Sequence, residues 1–269
     1  MTTWINGQLA THIEVSDRAL NYGDGIFTTI LVKHGVCRDL TAHLVRLQQG
    51  IKILEIAQID FAALAQQLAE IAKDHSIAVL KVLVSRGSGQ RGYSCVGCDE
   101  PKVMVTLSDY PSHYLAFQAQ GIALGVSTVA LGLNPLLAGI KHLNRLEQVL
   151  IRQQIDKENQ NDALVLDCQG FIVETAVANV FWVKDNIVYT PSLDLSGVSG
   201  IMRDNVIKCL TEQGFQVQSD RYRLGSVINA DEVFITNCLL GMVRVTSIGD
   251  AQYSDNKVFT LLDKLINHE

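Results

Sequence analysis

Two turns too short for a crossover constrain this chain most. DCQG (Asp167–Gly170) follows the strand-like run Ala163–Leu166, and KDN (Lys184–Asn186) joins Asn179–Val183 to Ile187–Tyr189. Parallel neighbours need a connection of a dozen or more residues, whereas antiparallel ones are closed by a tight turn of this composition. The pattern favours an antiparallel or mixed sheet over a doubly wound parallel one.

Helical spacing and strand signals fill in the rest. Leu44, Leu47, Ile51 and Leu54 mark an amphipathic helix over Thr41–Ile56, and Leu64, Leu68 and Ile71 mark another over Phe61–Lys73. The Asn-Gly pair in TWINGQ reads as a hairpin, and Ile77–Val84 and Val103–Leu107 read as strands. The polar, proline-containing SDYPSHY that follows is the best linker in the chain. Strands recur at Ile122–Val129, Asn179–Val183 and Glu232–Thr236, with helices at Asn144–Ile155, Ile201–Glu212 and near Asn256–Ile266. The expected organisation is α+β: a small domain over 1–108, a linker over 109–115 and a larger domain over 116–269.

With 48% apolar residues in 269, the chain has ample material for a core. A net charge of −6 gives no surface for a polyanion, so nucleic acid is not expected as a partner. No basic start with an apolar run and cleavage site stands in MTTWINGQLATHI, and the apolar stretch Ile122–Ile140 is broken by polar residues, proline and glycine. A soluble, cytoplasmic protein is expected, with no membrane partner. The six cysteines are then reduced thiols, and the C-x-x-C pair Cys95/Cys98 lacks the second pair or nearby histidines of a metal site; no metal is expected.

Four features point to chemistry. Lys141, in LLAGIKHLNRLEQV, follows an apolar segment and precedes a helix; partial burial there would suit its amine to react with an aldehyde, although a surface lysine at an element boundary looks the same. In GVSGIMRDNV (Gly197–Val206) a glycine-rich loop runs into a helix, as at phosphate sites, with Gly200 allowing close approach. Glu174, in GFIVETAVANVF, is a carboxylate that would need a partner if buried, such as a protonated ring nitrogen. SRGSGQRGYS (Ser85–Ser94) sets Arg86, Arg91 and Tyr93 in one loop, suited to a dicarboxylate substrate or simply a flexible surface loop.

In this order, and together with AHLVRLQ (Ala42–Gln48), these segments resemble the fold-type IV pyridoxal phosphate family, and within it the aminodeoxychorismate lyase branch. The resemblance runs from VSDRALNYGDGIFTT (Val15–Thr29) to ADEVFITN (Ala230–Asn237). It implies a two-domain fold like that of D-amino-acid aminotransferase, with pyridoxal 5'-phosphate between the domains. Lys141 matches the Schiff-base lysine and base. Glu174 matches the carboxylate at the pyridine nitrogen, Arg46 the phosphate-binding arginine, and Gly200, Ile201 and Met202 the phosphate loop. Where transaminases read Phe-Glu-Gly this chain reads Phe27-Thr28-Thr29, and Thr29 matches the hydroxyl that assists the leaving group. Cys238 stands near the position where transaminases often have a phosphate-binding threonine and, its thiol being a poorer donor, is left out of the site; His142 is read as a packed neighbour. The implied reaction converts 4-amino-4-deoxychorismate to p-aminobenzoate and pyruvate, a step of folate biosynthesis, with Arg86, Arg91 and Tyr93 holding the substrate. A homodimer, and functional coupling to the synthase that makes the substrate, are also implied. The alternatives are a D-amino-acid or branched-chain transaminase on the same fold and a non-catalytic small-molecule-binding protein.

Overall fold

Asn6 and Gly7 both take positive φ, 47° and 81°, so the expected hairpin forms between β1 (Thr2–Ile5) and β2 (Gln8–Leu9). The computed structural model describes residues 1–266 and divides into two units. The first is Met1–Pro111 with Lys141–Asn144; the second is Ser112–Ile140 and the chain from Arg145 onward. The segment carrying Lys141 therefore belongs with the first unit, although the sequence reading set it in the larger domain.

After the hairpin come α1 (Arg18–Tyr22), β3 (Gly25–Lys33), β4 (Val36–Cys37), α2 (Leu40–Ile53), α3 (Phe61–Ala72), β5 (Ile77–Ser85) and β6 (Lys102–Ser108). Asp17 caps α1 by accepting from the Ala19 N–H at 2.8 Å, and Asp60 caps α3 from Ala63 at 2.9 Å. The sheet runs β2-β1-β6-β5-β3-β4, every pair antiparallel. Ile26, Thr28, Ile30 and Val32 alternate along β3 as its buried face, in the core with Leu47 and Ile51 of α2 and Leu64 and Leu68 of α3. Phe27, Thr29 and Leu31 form the opposite, half-buried face.

The second unit holds α4 (His113–Gln120), β7 (Ile122–Val126), α5 (Leu146–Lys157), β8 (Asp162–Leu166), β9 (Ile172–Thr175), β10 (Asn179–Lys184), β11 (Ile187–Pro191), α6 (Ile201–Glu212), β12 (Val217–Asp220), α7 (Leu224–Ile228), β13 (Glu232–Asn237), β14 (Gly241–Ile248), β15 (Ala251–Gln252) and α8 (Lys257–Ile266). Its sheet is mixed, in the order β12-β11-β10-β13-β14-β7-β8-β9, with β15 on β14. The KDN turn closes an antiparallel β10–β11 pair, as its length requires, and the DCQG turn closes β8–β9. Both sheet faces are buried: Val180 and Trp182 enter one core, Phe181 and Val183 the other, where Met202, Val206 and Leu210 of α6 meet Val258 and Leu262 of α8. Residues His113 to Leu115, expected as linker, begin α4 instead. Among the described residues no helix is long and apolar enough to cross a membrane.

Candidate active site

Lys141 is held by its backbone before its side chain does anything. Its carbonyl accepts from the Phe27 N–H at 2.9 Å, and the Leu143 N–H donates to the Gly25 carbonyl at 3.0 Å, a short bridge beside β3 that also fixes His142 opposite Ile26. The Nζ stands 4.7 Å from the centre of the Phe27 ring. Thr29 lies two residues along β3 on that same face, directly opposite Lys81 of β5, whose Nζ is 5.0 Å from the same ring. Two lysine amines thus stand near the Phe27 ring, on the strand face that also bears Thr29.

On the buried side of β3, Thr28 Oγ1 and His43 Nδ1 are 2.5 Å apart, and His43 Nε2 has no hydrogen-bond partner among the described residues. Arg46 follows His43 by one turn of α2. Burial pushes the His43 pKa down to about 3, and the positive charges of Arg46 and Lys141 push in the same direction. His43 is therefore a neutral imidazole that senses both cations, which places Lys141 and Arg46 in one electrostatic neighbourhood of the first unit.

A separate cluster forms in the second unit. Glu174 on β9 is buried, and its Oε2 accepts from the Val198 N–H at 2.9 Å. Arg145 feels Glu174 and Glu147, while burial holds its guanidinium below the usual arginine range. The loop 197–199 is laced to the chain just before Lys141: Gly139 N–H to the Gly197 carbonyl at 3.0 Å, and Ser199 N–H to the Gly139 carbonyl at 3.1 Å. Asn179 Nδ2 donates to the Val198 carbonyl at 2.9 Å. Gly200 then opens α6 with no side-chain cap, leaving the first N–H groups of the helix, at Ile201 and Met202, for an outside acceptor. A Cβ on Gly200 would sit 2.1 Å from Asn179 Oδ1, so only glycine brings backbone this close.

The arginine loop corrects one expectation. Arg86 is buried and committed inward: Nε donates to Asp24 at 2.8 Å, Nη1 to the Glu55 carbonyl at 2.8 Å and Nη2 to the Leu54 carbonyl at 2.6 Å. It ties the end of α2 to the loop and is not a substrate ligand. Arg91 and Tyr93 are exposed. Cys238 packs at the edge of the Phe181–Phe234 core. Lys81, His43, Asn179 and Arg145 were not singled out from sequence, although His43 and Arg145 lie within the segments AHLVRLQ and LLAGIKHLNRLEQV and Lys81 is a charge within an otherwise apolar strand run.

Residues 25–248 match the Amino-transferase class IV family. The chain is 42% identical to the aminodeoxychorismate lyase of Vibrio harveyi over 97% of its own length and 96% of that protein. It superposes on the crystal structure of 4-amino-4-deoxychorismate lyase from Pseudomonas aeruginosa with a TM-score of 0.93 at 33% identity, covering 98% of each chain. The PLP-bound form of a hypothetical aminotransferase from Mycobacterium tuberculosis shares the fold, with a TM-score of 0.86 at 17% identity over 99% of this chain and 98% of that one.

Proposed function

The chain belongs to the Amino-transferase class IV family, and within it we propose that it acts as a pyridoxal phosphate-dependent lyase that splits 4-amino-4-deoxychorismate into p-aminobenzoate and pyruvate. The observation that carries the reading is Thr29: a hydroxyl on the strand face over which the Lys141 amine stands. A transaminase has no leaving group for such a hydroxyl to protonate.

The residues fit the cofactor. A lysine amine suits its aldehyde, and the buried Glu174 carboxylate suits its ring nitrogen. The uncapped start of α6 at Ile201 and Met202, with the cradle at Gly200, suits its phosphate, as does the Arg46 guanidinium. Bound pyridoxal phosphate supplies a sink for the electron pair left when a proton leaves the carbon next to the substrate amine. Lys141 Nζ takes that proton as the base. Thr29 Oγ1 would relay a proton to the departing enolpyruvyl oxygen as its bond to the ring breaks, regaining one from the Lys141 ammonium or from water; the ring becomes aromatic and the released enol rearranges to pyruvate. Glu174, its Oε2 steadied by the Val198 N–H, would be the carboxylate that keeps the ring nitrogen of a bound cofactor protonated. Arg91 and Tyr93, joined by Lys81 in place of Arg86, hold the two carboxylates. The same reading takes the molecule as a cytoplasmic homodimer that works with the substrate-making synthase. Exposed Leu146, Val149 and Leu150, at i, i+3 and i+4 on α5, are a stripe that a second copy would cover.

The test feeds the purified protein 4-amino-4-deoxychorismate and, separately, D-alanine or branched-chain amino acids with a keto acid. Equimolar p-aminobenzoate and pyruvate are expected from the first and negligible amino transfer from the second. Amino transfer without p-aminobenzoate would overturn the reading. Lys141→Ala should lose both turnover and the visible absorption of the bound cofactor.

A further inference from the structure

Arg18 opens a helix of only five residues, yet it is 3% exposed. A buried guanidinium must place its donors, and this one places most of them on a single loop. Nε donates to Asp24 Oδ2 at 2.7 Å; Nη1 donates to the carbonyls of Gly92 and Ser94, each at 3.1 Å; Nη2 donates to the Tyr93 carbonyl at 3.1 Å and lies 3.8 Å from Cys95 Sγ. Tyr22, one turn along α1, completes the grip. Its hydroxyl accepts from the Gly92 N–H at 3.0 Å, its ring lies 5.4 Å from that of Tyr93, and the Arg18 guanidinium lies over it at 4.8 Å. Four consecutive residues, Gly92 to Cys95, are gathered on one side chain.

The acceptor of Nε extends the clamp. Asp24 Oδ2 also receives Arg86 Nε at 2.8 Å, and Arg86 holds the carbonyls of Leu54 and Glu55 just beyond α2. One carboxylate oxygen thus joins the loop to the helix bearing His43 and Arg46. A glycine-bearing loop at the surface is ordinarily left to water. Here the main chain is drawn onto a buried cation while the side chains of Arg91 and Tyr93 stay exposed.

We propose that Arg18, assisted by Tyr22, is a positioning residue for substrate recognition: it fixes the main chain of Gly92–Cys95 so that Arg91 and Tyr93 meet the substrate carboxylates in one geometry. This rests on the reading of Arg91 and Tyr93 as substrate contacts. Lysine cannot replace the arginine, because a single ammonium cannot reach three carbonyls and a carboxylate laid out for a planar fork.

The experiment uses the holoenzyme as Arg18→Lys, Tyr22→Phe and Arg91→Met. Its readouts are the rate of tryptic cleavage after Arg91 where that residue is kept, kcat and KM for 4-amino-4-deoxychorismate, and the visible absorption of the cofactor. In Arg18→Lys, cleavage after Arg91 should be about tenfold faster and KM about tenfold higher, with kcat within about twofold of wild type and the absorption unchanged. Tyr22→Phe should move the same readouts in the same direction by less. It carries the test alone if Arg18→Lys does not accumulate as folded protein. Wild-type cleavage or wild-type KM in the clamp variants overturns the proposal, as does a fall in kcat with loss of the absorption. A wild-type KM in Arg91→Met removes the substrate reading of the loop. A raised KM there, beside an unaltered KM in the clamp variants, removes the clamp alone.

Discussion

Thr29 and His43 sit on opposite faces of β3 and do different work. If Thr29 Oγ1 protonates the leaving group, Thr29→Val, which keeps the shape and deletes the hydroxyl, should lower kcat by about 10²–10³-fold, while Thr29→Ser stays within about tenfold of wild type. Steady-state kinetics with p-aminobenzoate detection decides it, and a fully active Thr29→Val would return the proton to solvent. His43 makes a prediction about stability. Its pKa falls from the ordinary 6.5 to about 3 on folding. Between those values the unfolded chain binds a proton that the folded one refuses, so stability drops as pH falls below about 6.5 and levels off below about 3. From pH 6.5 to pH 5 this group alone removes about 2 kcal/mol. Urea unfolding of cofactor-free protein at the two pH values should show that loss, and His43→Gln should reduce it; an imidazole NMR signal titrating near its ordinary value would refute the assignment. At this scale the sequence was a partial guide. Lys141 and Glu174 stood out by local pattern and Thr29 only through the family resemblance, but nothing in SRGSGQRGY reveals that Asp24 and two carbonyls consume Arg86, nor that register sets Lys81 opposite Thr29.

Elements were legible where one face is buried and the local period is clean. The reading recovered α3 and β5 almost to the residue, and α6 with both ends, because Ile201, Met202, Val206 and Leu210 recur at helical spacing. It did not recover β3 and β14. In GIFTTILVK a polar residue takes the inward position of Thr28, and in GMVRVTSI a register irregularity between Val245 and Ser247 breaks the period-two alternation, which blurs the contrast on which a strand assignment depends. The sheet order was out of reach too, since β14 pairs in parallel with β7 across more than half of the second unit. The start of α6 yields a prediction at this scale. Gly200→Ala would drive a methyl to 2.1 Å from Asn179 Oδ1, and Asn179 could yield only by releasing the Val198 carbonyl that shapes the loop beside Glu174. Helix formation itself would tolerate alanine there, so thermal stability should change little. Pyridoxal phosphate should instead bind about tenfold more weakly, a change of ~1.4 kcal/mol. Fluorescence titration of cofactor-free protein measures this, and unchanged affinity would show that the phosphate does not use the start of α6.

For the whole molecule, the discontinuity of the first unit matters most. Lys141–Asn144 reaches the end of β3 after a long excursion of the chain, and its bridge to Gly25 and Phe27 has no local periodicity that would announce it. Gly25 is where the pieces converge. A Cβ there would lie 2.3 Å from the Val84 carbonyl oxygen of β5 and 2.8 Å from Leu143 Cδ1, so neither the sheet neighbour nor the returning segment leaves room for a methyl. Gly25→Ala must therefore part β3 from β5, part β3 from the lysine segment, or do both. Overpacking of this kind costs about 1–3 kcal/mol, which for a chain of this size lowers the melting temperature by roughly 3–10 °C. The catalytic cost should be larger in proportion. Lys141 is positioned through the very backbone bonds that Gly25→Ala strains, and a misplacement of about 1 Å at a reacting group costs on the order of 100-fold in rate. Calorimetry and kcat on the same preparation separate the two effects. A melting temperature lowered with kcat intact would mean that β3 yields toward β5 and the lysine segment holds. Loss of kcat at an unchanged melting temperature would mean that the segment moves alone. Wild-type values for both would show that the contact at Gly25 does not govern where Lys141 stands.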